Sequence, residues 1–291
     1  MQELVDKYLA FVQKRSRSRK TYITYTGCLE TFRRIVGDMQ LTKEAYIKFL
    51  ENSTHMKPAT QALHRSAIKG LYGYWSDKLP GVDISFFEQA NQRYALKLDN
   101  APIMFNREGI EKTIQYVNAI RKDVADLRDR TFILLLADSG LRVSEACGIR
   151  LGDIDWLEQR IAVTGKGNKP AIVKMSNRVT EAAKEYLQAR EHTGKSVPLF
   201  IQHSKKAGNR MVKASPGVMW FAVKRRIGEA GVDPETIRIH DFRHYFVTIV
   251  YHAKGIKMAQ TLARHKVIGT TDRYTHLVEN EDEAYDEIFN H

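Results

Sequence analysis

The chain has 291 residues, enough for one large domain or two ordinary ones, and its 43% hydrophobic and 27% charged residues are typical of a globular rather than a disordered protein. No apolar run approaches the ~18–20 residues of a membrane span, and the amphipathic start MQELVDKYLAF does not have the pattern of a signal peptide. Cys28 and Cys147 lie far apart without metal-ligand spacing, which predicts reduced thiols in a cytoplasmic protein.

The charge of the chain is strongly positive and unevenly distributed. The formal net charge is +12 and the isoelectric point is about 9.5. Basic residues exceed acidic ones in residues 1–100 and again in 101–278, whereas residues 279–291 contain acids and no lysine or arginine. Two basic regions favour a polyanion, above all nucleic acid, contacted from two sides. A basic soluble protein without such a partner remains the alternative.

Residues 1–96 are predicted to form a small helical bundle. Apolar residues repeat at helical spacing in residues 5–12 and 22–32, Thr42 can cap a third helix, and a fourth is expected at 57–75. Residues 81–100 are predicted to be irregular, and residues 97–104 to form an extended linker. Four short helices in fewer than 100 residues indicate a bundle.

Residues 105–278 are predicted to form a mixed domain. Helices are expected at 107–118, 124–137, 179–192, 215–230, 241–253, 257–263 and 270–277, and strands at 160–164 and 171–174. The loop GKGNKP between the strands contains the Gly and Asn that a hairpin turn uses. The predicted fold class is therefore mainly α with a small β-sheet, a helical bundle followed by an α+β domain and an acidic tail, 279–291.

Familiar nucleotide and metal motifs are absent from the sequence. It contains neither GxxxxGK[ST] nor HExxH. His240 and His244 are four residues apart and could share a metal, but Arg243 between them would repel a cation. We therefore predict no metal site and no cofactor.

A scattered set of basic residues stands out instead. Gly140 predicts a sharp turn that presents Arg142 at a helix start, where Glu145 could hold its guanidinium; the alternative for Arg142 is an exposed helix residue. Lys166 is at the tip of the predicted hairpin, within reach of a site unless it is an ordinary solvated lysine. His240 and Arg243 share one helix face, with a capped helix and a buried histidine as the alternative.

The stretch TLARHKVIGTTDRYTHL adds His265 and Tyr274 to this set. Arginine, lysine, histidine and tyrosine together suit chemistry at a phosphodiester. Two guanidiniums can each bind two phosphate oxygens and so neutralise a five-coordinate phosphorus without a metal. A tyrosine oxygen can attack phosphorus to form a phosphotyrosine. A lysine can protonate the departing 5′ oxygen, and histidines can accept the phenol proton or hydrogen-bond a phosphoryl oxygen. A phosphotyrosine conserves the bond energy, which fits the missing nucleotide loop.

The order of these motifs resembles that of the tyrosine recombinases, the Xer and phage-integrase superfamily. The matching pieces are SGLRVSE with Arg142, VTGKGNK with Lys166, HDFR with His240 and Arg243, His265, and TTDRYTHL with Tyr274. The resemblance implies that residues 1–96 are a core-binding domain and 105–278 a catalytic domain, which form a C-shaped clamp on DNA. It also implies site-specific strand cleavage through a 3′-phosphotyrosine, in a tetramer on two sites and through a Holliday junction.

The resemblance also assigns a role to each residue. Arg142 and Arg243 clamp the phosphate, and Glu145 supports the site. Lys166 is the general acid, and His240 is the base or a hydrogen-bonding partner. His265 contacts the phosphoryl oxygen, and Tyr274 attacks the phosphorus. Two positions depart from the family pattern: Arg264 replaces the usual Gly before His265, and Phe242 replaces a common Leu.

Several clusters of basic residues are candidates for DNA contact, although a solvated charge run is the alternative for the first of them. The candidates are Arg15, Arg17, Arg19, Lys20, Arg65, Lys69, Lys205, Lys206 and Arg210. The expected partners are double-stranded DNA with inverted-repeat sites, three further copies of the chain in a tetramer on two such sites, and an accessory factor. Off DNA, a monomer or dimer is expected. An apolar stripe in the tail, from Ala284 to Phe289, is expected to dock on a neighbouring subunit, with docking within one chain as the alternative.

Two other functions stay open from the sequence alone. A type IB topoisomerase uses a similar residue set, and a decayed relative could bind DNA without cleaving it. Within the recombinase interpretation, chromosome-dimer resolution and mobile-element integration or excision both remain.

Overall fold

Two compact units make up the chain, Met1–Asn100 and Ala101–His291. The structure, a computed structural model, describes residues 1–15, 19–96, 104–121, 123–165, 170–190, 194–203 and 212–264. Helices dominate both units, and the strands of the described part form one three-stranded sheet. The predicted class, mainly α with a small sheet, is confirmed. The predicted linker, 97–104, lies outside the described residues except for Met104.

The first unit is a helical bundle. Its helices are α1 (Gln2–Arg15), α2 (Arg19–Val36), α3 (Lys43–Asn52), α4 (Pro58–Trp75) and α5 (Phe87–Arg93). The Thr42 hydroxyl accepts a hydrogen bond from the Ala45 N–H (3.4 Å) and so caps α3 as predicted. Helix α5 lies in a segment predicted to be irregular. It is anchored by the ring of Phe87, 4.4 Å from Tyr46 and 5.2 Å from Tyr72 between centroids, and not by a repeating apolar face.

Aromatic residues of α4 pack against aromatic residues of α2 and α3 and connect the bundle. The side chains of Phe32, Phe49 and Tyr72 are fully buried together, and each such burial contributes about 1.5–3 kcal/mol. The Tyr72 hydroxyl donates to the carbonyl oxygen of Thr42 (2.8 Å), and the Trp75 indole donates to that of Leu4 (3.0 Å). Helix α4 is therefore tied to the start of α3 and to α1.

The second unit is built around one central helix. Its helices are α6 (Arg107–Ala119), α7 (Val124–Ser139), α8 (Val143–Ala146), α9 (Asn177–Ala189), α10 (Pro216–Glu229) and α11 (Asp241–Ala263). In α7 the consecutive residues Phe132 to Leu136 are all at most 1% exposed. Five consecutive apolar residues cover every side of a helix, so this stretch of α7 is buried on all sides, and α7 is packed by α6, α9, α10 and α11. The carboxyl end of α7 is therefore fixed in position.

An antiparallel sheet lies beside these helices. Its strands are β1 (Ile154–Asp155), β2 (Arg160–Thr164) and β3 (Pro170–Lys174), in that order. Ile161 pairs with Val173, and both are buried, while their neighbours along the strands face outward. The two predicted strands are present. Strand β1 was not predicted, because two residues are too few to show an alternating pattern. Residues 166–169 of the connecting loop lie outside the described residues.

Helix α11 contains an internal break. The two helices predicted here, 241–253 and 257–263, are confirmed: α11 (Asp241–Ala263) is interrupted at Gly255, which is non-helical (φ 74°, ψ 175°). Glycine adopts this positive φ without steric cost. The predicted helix at 270–277 and the tail at 279–291 lie outside the described residues.

Both cysteines, Cys28 and Cys147, are buried free thiols. Burial raises the pKa of Cys147 to about 11, so the thiol is protonated at neutral pH. Across the described ranges, no helix combines the length and apolarity needed to cross a bilayer. The same ranges contain no group of three or more His, Cys, Asp or Glu side chains suited to a metal ion.

His203 lies beside two buried arginines. Its Nε2 is 2.9 Å from the hydroxyl oxygen of Tyr186. Arg128 and Arg190 are each held by donating to backbone carbonyls, at 3.2 Å and 2.6 Å. Burial, reinforced by these two positive charges, lowers the pKa of His203 to about 4. The imidazole is therefore neutral in the folded protein down to acidic pH.

This environment predicts a pH-dependent loss of stability. An unfolded histidine has a pKa of about 6.5, so between about pH 6.5 and pH 4 the unfolded chain binds a proton that the folded chain excludes. The free energy of unfolding should fall as the pH drops through this window, by on the order of 2 kcal/mol from this group. His203→Gln keeps a polar partner for Tyr186 but cannot be protonated, so its free energy of unfolding should fall less than that of the wild type over the same pH change. Chemical denaturation at pH 7 and pH 4.5 compares the two proteins, and equal losses would contradict the prediction.

Candidate active site

A tight turn between α7 and α8 presents Arg142. Gly140 ends α7 in the left-handed conformation (φ 58°, ψ 24°). A Cβ at this position would lie 2.3 Å from the ring of Phe246 on α11. Only glycine permits both this φ and this close approach. Arg142 then occupies the N-cap position of α8, so the predicted turn and helix start are confirmed.

Glu145 holds Arg142 through two contacts. Its Oε1 accepts from Nη1 of Arg142 and its Oε2 accepts from the Arg142 backbone N–H, both at 2.9 Å. The Glu145 side chain is only 4% exposed. Burial alone would raise the pKa of this carboxyl, but the backbone N–H and the nearby positive charges outweigh it and place the pKa below its usual value. The carboxylate is therefore ionised.

Arg264 is a second cation on the same carboxylate. Its Nη2 lies 2.9 Å from Oε2 of Glu145. Arg264 caps the carboxyl end of α11 in the left-handed conformation (φ 58°, ψ 41°). The sequence marked this residue only as a departure from a pattern. No local signal could pair it with a glutamate 119 positions earlier.

Arg243 joins the two turns. It lies in the first turn of α11 and is 2% exposed. Its Nη1 donates to the carbonyl oxygen of Gly140 and its Nη2 to that of Ala263. The end of α7 and the end of α11 are thus attached to one guanidinium.

His240 is the N-cap residue of α11. Partial burial, and then the positive charges of Arg243 and Arg142, lower the pKa of its imidazole. Its ring stands edge-on to that of His244, with 4.7 Å between centroids. The imidazole is therefore neutral near pH 7 and able to accept a proton.

Four of the candidate side chains and Arg264 lie together in the second unit. The four candidates are Arg142, Glu145, His240 and Arg243. Three guanidiniums against one carboxylate make this site positive, and a positive, partly desolvated site suits a phosphate group. Lys166, His265 and Tyr274 lie outside the described residues, so their places in the site stay predictions.

The candidates for DNA contact differ in their exposure. In the first unit the side chains of Arg15, Arg19, Lys20 and Lys69 are exposed. Arg17, Lys205, Lys206 and Arg210 lie outside the described residues.

Arg65 requires a correction. It was predicted as a candidate for DNA contact, like Lys69 one turn further along α4, but it is only 9% exposed. Its guanidinium donates to Oδ1 of Asn91 (3.3 Å) and to the carbonyl oxygen of Tyr94 (2.8 Å). Arg65 therefore connects α4 to the segment around α5 and is not presented to a phosphate.

Comparison with known proteins agrees with this geometry. The sequence signature of the phage integrase family matches residues 106–281. A tyrosine recombinase XerD of Corynebacterium glutamicum is 34% identical over 156 residues, which span 52% of this chain and 49% of that protein. A tyrosine recombinase XerA of Thermococcus onnurineus is 26% identical over 276 residues, spanning 94% of this chain and 90% of that protein.

Solved structures show the same fold. The crystal structure of the XerH site-specific recombinase bound to difH substrate, in a pre-cleavage complex, is 19% identical and has a TM-score of 0.71, covering 98% of this chain and 93% of that one. The chain therefore belongs to the phage integrase family and is a tyrosine-type site-specific recombinase. The resemblance inferred from the motifs is confirmed, and these relatives give no support to the topoisomerase alternative.

The turn at Gly140 predicts a selective mutational effect. Gly140→Ala places a Cβ against Phe246 and also incurs the cost of left-handed backbone, about 1–2 kcal/mol for a non-glycine residue. Gly231→Ala is the matched control, because Gly231 has a similar φ of 74° but open space around it. We expect Gly140→Ala to melt at a lower temperature than the control. Its strand-cleavage rate should fall roughly 100-fold, because a shift of about 1 Å in Arg142 costs that much. Equal cleavage by the two variants would contradict this.

Proposed function

We propose that this protein cleaves and rejoins DNA strands at specific sites through a 3′-phosphotyrosine formed on Tyr274, without a metal or ATP. The observation that carries the proposal is the cluster of Arg142, Arg243 and His240, in which Glu145 holds Arg142 and Arg243 binds the carbonyl oxygen of Gly140. The order of the remaining motifs, with Lys166, His265 and Tyr274, supports it from the sequence.

In the proposed cleavage step, the phenolic oxygen of Tyr274 forms a bond to phosphorus as the bond from phosphorus to the 5′ oxygen breaks. The neutral imidazole of His240 accepts the phenol proton, and Lys166 gives a proton to the leaving oxygen. His265 hydrogen-bonds a phosphoryl oxygen. Rejoining is the reverse reaction with the 5′ hydroxyl of another strand, so no external energy source is needed.

The two arginines supply the electrostatic stabilisation. Arg142 uses one terminal nitrogen on Glu145, and its side chain is 38% exposed. Arg243 is buried and fixed between two backbone carbonyls, so its charge is already oriented before a substrate arrives. Charge fixed in advance around the scissile phosphate stabilises the extra negative charge of the transition state.

We further propose that double-stranded DNA with inverted-repeat sites contacts both units. In the first unit, Arg15, Arg19, Lys20 and Lys69 are exposed bases suited to phosphates. A tetramer on two such sites, joined by the tail at 279–291 and acting through a Holliday junction, is the proposed assembly. The proposal covers both chromosome-dimer resolution and mobile-element integration or excision.

The proposed nucleophile is tested by trapping. The protein is incubated with a library of nicked duplexes in which cleavage releases a short fragment and so blocks rejoining. We expect a covalent protein–DNA adduct on denaturing gels, formed only on a subset of sequences. Tyr274→Phe should abolish it, because the variant lacks the attacking oxygen.

Tyr251→Phe is the control, since it removes a hydroxyl from α11 without removing the proposed nucleophile. Sequencing of the trapped DNA then identifies the site, and two such sites on one substrate should yield exchanged strands. An adduct that survives Tyr274→Phe would overturn the assignment. Relaxation of supercoiled DNA without regard to sequence would instead favour a topoisomerase.

The different surroundings of Lys69 and Arg65 predict opposite effects of the same charge loss. Lys69→Gln should weaken DNA binding and reduce the log–log salt slope of the binding constant by about one unit, with no change in melting temperature. Arg65→Gln should lower the melting temperature instead, because Asn91 and the Tyr94 carbonyl lose a buried donor. Binding titrations at several salt concentrations and thermal melts separate the two. An unchanged salt slope in Lys69→Gln would exclude it as a phosphate contact.

A further inference from the structure

Arg264 has a backbone conformation that its side chain type disfavours. Its φ of 58° and ψ of 41° lie in the left-handed region. Glycine ends helices in this conformation most easily, and other residues pay about 1–2 kcal/mol for it. Because this conformation is costly for arginine and the residue lies next to the proposed catalytic cluster, we expect its side chain to have a function that a glycine could not perform.

The contact that Arg264 makes is with Glu145, the residue that holds Arg142. Both guanidiniums approach the same carboxylate, each with a nitrogen–oxygen distance of 2.9 Å. The Glu145 side chain is 4% exposed and that of Arg264 is 18% exposed, so this pairing is far less screened than one at the surface.

The shared carboxylate affects the charge that Arg142 can offer. If Glu145 were paired with Arg142 alone, the two would form a neutral pair, and much of the attraction for an anion would be lost. With Arg264 on the same carboxylate, two guanidiniums share one negative charge and the group keeps a net positive charge. Arg264 also occupies Oε2, which fixes the carboxylate plane and leaves Oε1 for Nη1 of Arg142.

We infer that Arg264 is a positioning residue for strand cleavage: through Glu145 it orients Arg142 and preserves its positive charge for the scissile phosphate. This inference rests on the proposed function. Arg243 supports the arrangement, because its bond to the Ala263 carbonyl holds the end of α11 in place.

Three variants separate the effect of the Arg264 side chain from the effect of its strained backbone conformation. Arg264→Gly removes the guanidinium and relieves the strained φ, so the relieved backbone offsets part of the stability lost with the ion pair to Glu145. Arg264→Ala removes the guanidinium and keeps the strain. Arg264→Lys keeps both the positive charge and the strain.

Single-turnover cleavage of a trapping substrate measures the effect, together with the dissociation constant for a half-site. We expect the cleavage rate of Arg264→Gly and Arg264→Ala to fall about 10-fold or more, with half-site affinity within about twofold of wild type. Arg264→Lys should recover most of the lost rate. A purely structural role predicts a different pattern, in which Arg264→Gly is the best of the three variants. Wild-type cleavage by Arg264→Gly would overturn the inference.

A double-mutant cycle with Glu145→Gln tests the route of the effect. If Arg264 acts through Glu145, then Arg264→Gly should change the cleavage rate by less than about twofold once the carboxylate charge is gone. An equal loss in both backgrounds would mean that Arg264 contacts the DNA directly, and would overturn the positioning role. Failure of the proposed function is distinct, since the wild-type protein itself would then form no adduct.

Discussion

The site depends on one buried carboxylate. Glu145 is almost completely removed from water, and an ionised carboxylate in such a place is stable only if hydrogen bonds and opposite charges replace its lost hydration. Three donors do so: the backbone N–H and the guanidinium of Arg142, and the guanidinium of Arg264. This requirement couples a turn in the middle of the chain to the end of α11. It explains why two arginines can lie close together in one small space.

The surrounding fold serves this arrangement step by step. The buried apolar stretch of α7 fixes the position of the helix's carboxyl end, and Gly140 turns the chain there because Phe246 leaves no room for a side chain. The turn then sets Arg142 at the start of α8. The carbonyl that Gly140 exposes is bound by Arg243 from α11, so the two arginines proposed to bind the phosphate are placed by the same backbone segment.

The parts of this structure that were predictable from the sequence are the local ones. Gly140, Arg142 and Glu145 lie within six residues, and the turn, the cap and the ion pair all follow from short-range geometry. The contact of Arg264 with Glu145 crosses 119 positions and leaves no periodic or local trace. The error at Arg65 has a similar origin. Helix spacing shows that Arg65 and Lys69 are neighbours on α4, but the partners that bury Arg65 belong to the segment around α5, whose seven residues are too few to show a helical pattern.

The break at Gly255 has a geometric consequence for α11. In a continuous helix, Arg243 and Ala263 would be about 30 Å apart, at 1.5 Å per residue. They are instead within hydrogen-bonding distance, and Val247, Ala259 and Ala263 form a small buried cluster of their own. The element is therefore a helical hairpin that reverses at Gly255 and returns to its starting point. By folding back, it delivers both of its ends to the site: His240 and Arg243 at the first, and Arg264 at the second.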